Sequence, residues 1–160
     1  MHTQHQSGLS LVEVVIGVAM VATILVVVTQ LISLYLITVK STQDTLVASY
    51  QTEATLEAAR FVRDNDWTTF TSLPIDTALY LERATGSVAF VSTNPTPDAT
   101  YQTELHVRSV YRDVVSHDLR SSTDSGTYLD SEARLAEAYT DKDGESILSH
   151  QMVFTNLFEL

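Results

Sequence analysis

The chain has 160 residues and a formal net charge of −11, and it contains no cysteine. The charge is uneven: residues up to Val39 carry only Glu13, whereas from Lys40 onward 9 basic residues face 19 acidic ones, so 9 − 19 = −10 of the −11 lies in the later part. That acidity excludes a nonspecific nucleic-acid grip, which needs basic residues to displace counterions, and opposes docking on anionic lipid heads. The missing cysteines exclude a disulfide, thiolate metal sites and a cysteine nucleophile.

Glu13 is followed by a run without a charged residue from Val14 to Val39. At ~1.5 Å per residue a helix over this run is roughly 39 Å long, enough to cross a ~30 Å hydrocarbon core with some tilt. A secretory signal peptide is the competing interpretation, but its apolar region is ~7–15 residues closed by a small-x-small site, and no such pattern closes this run. Glu13 breaks the pattern. A carboxylate inside an apolar span is by default a functional group that needs a cation at its own depth, although at the interface it can also snorkel. No lysine or arginine precedes Lys40. Cleavage after Gly8 would create such a cation, a free α-amine on Leu9 four residues before Glu13.

The order Gly8-Leu9-Ser10-Leu11-Val12-Glu13, opening a long apolar helix, resembles the processing motif of type IV pilins and type II secretion pseudopilins. The resemblance covers the first quarter of the chain. It implies a leader peptide over 1–8, cut by a prepilin peptidase between Gly8 and Leu9, with methylation of the Leu9 amine. It implies that Glu13 pairs with that amine on a neighbouring subunit during filament assembly. Leu9 stands where phenylalanine is commoner, and the leader lacks Lys and Arg, which departs from the positive-inside pattern. The resemblance also implies partners: other pilin subunits, the prepilin peptidase and an inner-membrane assembly platform. The leader would lie in the cytoplasm and the C-terminal domain outside. The implied fold is α+β and pilin-like, a long N-terminal helix packed on a small antiparallel sheet. Gly17 marks a point where the helix could loosen.

Residues 9–39 are expected as the membrane or filament-core helix and 40–66 as its amphipathic continuation. No Pro or Gly occurs from Val18 to Leu73, and Leu46, Tyr50, Ala54, Ala58 and Val62 fall at steps of four, flanked by Val47 and Phe61. The expectation is that this stripe is the face on which the sheet lies. The helix should end near Asp64-Asn65-Asp66, where short polar side chains compete for backbone hydrogen bonds. Trp67 and Phe70 should fold back under the domain.

Residues 67–160 are expected as an antiparallel β domain. Tyr80–Glu82 and Val88–Val91 flank a Gly-containing loop and suggest a hairpin. Tyr101 to Arg112 alternates, with Tyr101, Thr103, Leu105, Val107 and Tyr111 on one side. Asp113 to Asp130 is expected as one exposed loop. Ser131 to Tyr139 has helical propensity yet precedes the turn signal Asp141-Lys142-Asp143-Gly144 and a final β-prone run. A terminal hairpin is favoured, because pairing commonly overrides propensity.

Asp141 to Glu145 resembles the start of a calcium loop, but the acid expected at position twelve is Met152, so a hairpin turn is the better account. His106, His117 and His150 lack ligand spacing, and no phosphate loop or serine elbow is present. Neither metal nor cofactor is expected, nor enzymatic activity. The function implied is a structural filament subunit, a minor pilin in preference to a major one because no disulfide closes a C-terminal loop. The alternative is a single-pass membrane-anchored binding module that never polymerises, and Glu13 discriminates between them.

Overall fold

The computed structural model describes residues 11–84, 87–97 and 99–156. The chain divides into two compact units, Met1–Gln43 and Asp44–Leu160. Helix α1, Leu11–Asn65, crosses the boundary as 55 residues without interruption, Gly17 included. It ends where the short polar residues begin. Asp66 caps α2, Trp67–Thr71, by accepting from the Thr68 N–H at 2.9 Å.

The second unit is α+β. Strands β1, Tyr80–Ala84, and β2, Ser87–Val91, form the expected hairpin. A second, antiparallel sheet has the order β4-β3-β5-β6, from β3 (Tyr101–Asp113), β4 (Leu119–Arg120), β5 (Thr127–Lys142) and β6 (Glu145–Thr155). The two are tied where Leu79 and Leu105 exchange backbone hydrogen bonds at 2.9 and 2.8 Å. The β5–β6 hairpin turns at Asp143 and Gly144, with φ of 53° and 83°. Positive φ at both central residues is what a two-residue hairpin turn matching strand twist requires.

The helix-prone Ser131–Tyr139 segment is therefore strand. Ala136, Ala138 and Thr140 alternate onto one face and are fully buried. Their facing residues on α1 are small as well: Ala48, Thr52 and Ala59 are fully buried, with Thr55 and Leu56 beside them. Small residues on both surfaces let helix and sheet backbones approach closely. This corrects the expected stripe in part: Val62 packs against the core and Val47, Ala54 and Ala58 are partly buried, but its large side chains lie outside. Leu46, Tyr50 and Phe61 are 54%, 72% and 53% exposed. The sheet lies on the face with small side chains. The bulk of the core comes from Leu56, Phe70, Leu79, Leu105, Val107 and Phe154, with Phe70 edge-on to Phe154 at 5.2 Å between centroids.

Two further expectations are corrected. Pairing of β3 with β5 shifts register between Ser109 and Val110, so Val110 is buried and Tyr111 only partly so. A bulge changes the phase of the alternation. The Asp113–Asp130 segment is not one loop: it contains β4 and the start of β5.

The threonines under the helix are satisfied within the fold. Thr52 Oγ1 donates to the Ala48 carbonyl at 2.7 Å and lies 2.8 Å from Thr140 Oγ1. Thr140 in turn lies 2.9 Å from Thr103, whose hydroxyl is 3.1 Å from the Gln51 amide oxygen. At the sheet end, Asp44 accepts from the Tyr101 hydroxyl at 2.7 Å and from Lys142 Nζ at 2.5 Å. That hydrogen bond holds the Lys142 ammonium above its ordinary pKa. Tyr80 donates to Glu104 at 2.7 Å, and this bond, helped by desolvation, pushes its phenol up to about 12.

Thr52→Val keeps the shape and deletes the hydroxyl, so it should destabilise the fold by about 1–2 kcal/mol, with Thr52→Ser closer to the parent, by urea unfolding of the full chain in detergent. The raised Tyr80 and Lys142 values, with Tyr101 and Tyr139 raised beside them, contribute to the alkaline behaviour. These contributions are whole below the ordinary values near pH 10 and are lost as pH rises through the folded ones. Melting temperature should fall above about pH 10, and Tyr80→Phe should make that fall shallower.

Candidate functional site: the exposed apolar helix

The first unit presents one surface feature, an apolar helix that its own chain leaves uncovered. Every residue from Leu11 to Gln43 is exposed. Leu, Ile and Val number 18 between Leu11 and Val39. One helix among the described residues is long and apolar enough to cross a membrane, and it is this one.

Its hydroxyls close onto their own helix, as those of Thr42, Thr52 and Thr55 do further along. Thr23 donates to the Ala19 carbonyl at 2.9 Å, Thr29 to Leu25 at 2.8 Å, Ser33 to Thr29 at 3.0 Å and Thr38 to Leu34 at 2.9 Å. Each returns its proton to the carbonyl one turn earlier, so the hydroxyl is not left bare in a medium without water. Such back-bonding is a matter of residue type and follows from the sequence once the helix is granted.

Glu13 sits in the first turn of α1. An acid there is favoured by the helix N-terminus. Gly8 and Leu9 lie outside the described residues. The energetics of the span separate anchoring from the role of the acid. At about 0.3–0.6 kcal/mol each, 18 apolar residues supply roughly 5–11 kcal/mol toward insertion, against about 2.5–3.5 kcal/mol for a carboxylate at the centre and less at the edge. On these magnitudes insertion of such a helix would not depend on Glu13, and anchoring does not explain the residue.

The compact unit offers no comparable chemistry among the described residues. A groove of about 380 Å³ passes Tyr50, Gln51, Tyr80 and Tyr101, and no carboxylate, histidine or lysine lines it. The Tyr80 and Tyr101 hydroxyls already serve Glu104 and Asp44. His106 lies 3.2 Å from Glu104 and edge-on to Tyr139, and His117 lies 3.2 Å from the Tyr128 hydroxyl, so both belong to surface packing. Among the described residues no three His, Asp or Glu side chains converge as metal ligands.

No family model, curated protein or solved structure matches the chain.

The expected behaviour is that of an integral membrane protein. Alkaline carbonate should leave the chain in the membrane pellet. Glu13→Ala should not move it to the supernatant, whereas Val21→Arg with Val28→Arg, costing about 5–7 kcal/mol together, should release part of it.

Proposed function

We propose that the chain is a structural subunit of a type IV pilus-like filament, of the pilin or pseudopilin class, and of the minor grade within it. A prepilin peptidase cuts between Gly8 and Leu9 and the new Leu9 amine is methylated. Before assembly the subunit is a single-pass membrane protein with its N-terminus cytoplasmic and its sheet domain outside. During assembly Glu13 of one subunit meets the Leu9 amine of the next, and the apolar helix leaves the bilayer for a filament core made of other such helices.

The observation that carries this reading is the single acid at the head of an exposed apolar helix, four residues after the amine that cleavage would create. A buried charge is tolerable beside its opposite and costly elsewhere. The exposed helix ahead of a compact α+β unit is consistent with this use, since packed helices can replace lipid around it.

Glu13→Ala tests the reading against a membrane-anchored binding module. For a filament subunit, the variant should accumulate in the membrane at parental level yet drop at least tenfold in sheared or purified filaments. Equal recovery of parent and variant from filaments would refute the proposed pairing.

A further inference from the structure

Two polar side chains in the apolar span differ from the back-bonded hydroxyls. Gln30 is exposed and Tyr35 is 67% exposed. Among the described residues neither the Gln30 amide nor the Tyr35 hydroxyl makes a hydrogen bond, whereas Thr23, Thr29, Ser33 and Thr38 each close onto their own helix. Their side chains reach too far for that return. Nor can they meet each other: five residues on one helix separate them by about 140° around the axis. In a medium without water each needs a partner from another helix.

We propose that Gln30 and Tyr35 are that partner for one another, across the contact between two copies of this chain. The inference rests on the filament reading, which supplies the register. If Glu13 of one copy is level with the Leu9 amine of its neighbour, residue i of the first is level with residue i − 4 of the second. Tyr35 of the first is then level with position 31 of the neighbour, one residue, or ~1.5 Å of rise, from its Gln30. A helical side chain leans toward the N-terminus, which brings the Tyr35 ring down toward that depth. The azimuth agrees as well. Glu13 and Tyr35 are 22 residues apart, so at ~100° per residue they fall within about 40° of the same side of α1. The face that presents the acid to a neighbour therefore presents the phenol too.

The chemistry is complementary. The amide offers two donors and an acceptor, and the phenol one donor and an acceptor, so Tyr35 Oη–H donates to Gln30 Oε1 or receives a proton from Nε2. Because the two groups occupy different sides of the helix, each copy uses Tyr35 toward one neighbour and Gln30 toward the other. A contact of that kind propagates head to tail and does not close a pair. Gln30–Tyr35 thus acts as a second register lock about 33 Å along the helix from the charged one, the 22 residues between Glu13 and Tyr35 of one copy.

The absence of cysteine makes this testable by cross-linking in native cells. Thr23→Cys is placed in one tagged copy and Val28→Cys in another. These positions repeat the Gln30 and Tyr35 relation one heptad lower and leave both residues intact. Oxidation should join the two tagged copies. Gln30→Leu and Tyr35→Phe should each lower the yield about threefold, the size of one interhelical hydrogen bond, and the double variant should be no worse than either single one. Without any cross-link in the parent background, the four-residue register fails and this inference with it. A cross-link whose yield is unchanged by both substitutions would leave the register standing and overturn the Gln30–Tyr35 contact.

Discussion

Everything about this chain follows from one constraint: it makes an unbroken helix whose first half is hydrocarbon on every side and which its own fold does not cover. Every residue between Leu11 and Gln43 is exposed. Leaving such side chains in water costs about 1.5–3 kcal/mol apiece relative to burying them, so the surface must be taken up by lipid or by other protein. The back-bonded threonines and Ser33 fit the same demand, because they lower the cost of placing polar groups there. The apolar sum exceeds the cost of one carboxylate, so Glu13 is affordable in the span without being needed for anchoring. A residue that is tolerated yet has no part in insertion calls for another explanation, and the proposed pairing between copies would supply one.

The compact unit solves a different problem, how a helix and a twisted sheet come close enough to exclude water. It does so with small residues at the crossing, Ala48, Thr52 and Ala59 over Ala136, Ala138 and Thr140, and with larger side chains, Leu56, Phe70 and Phe154, filling the flank. The threonines at the crossing carry hydroxyls into a dry layer, where a bond to a backbone carbonyl or to each other removes the penalty of an unsatisfied group. Asp44, Tyr101 and Lys142 fasten the open end of the same layer.

How much of this the sequence disclosed depends on the physical signal involved. The long helix, its end at Asn65, the β1–β2 hairpin and the Asp143-Gly144 turn all rest on local rules and were legible. The buried face of α1 was not, because a search for large apolar side chains finds Leu46, Tyr50 and Phe61, whereas the sheet chose the face where side chains are small. The spacing of Ala48, Thr52, Thr55 and Ala59 at steps of four, three and four was the available signal. The shift at Ser109 and Val110 is set by the partner strand, so β3 read alone gives no sign of it. At the candidate site, Glu13 and its spacing from Gly8 were visible at once. Gln30 and Tyr35 gained meaning only when the hydroxyls around them proved to be internally bonded.

The central claim is that proteolysis creates the cation that Glu13 meets. The most direct measurement is the mass of the N-terminal peptide of the chain recovered from assembled material in its native cells. The account predicts a chain that begins at Leu9 with a methylated amine. Assembled chains that still carry Met1 to Gly8 would contradict it.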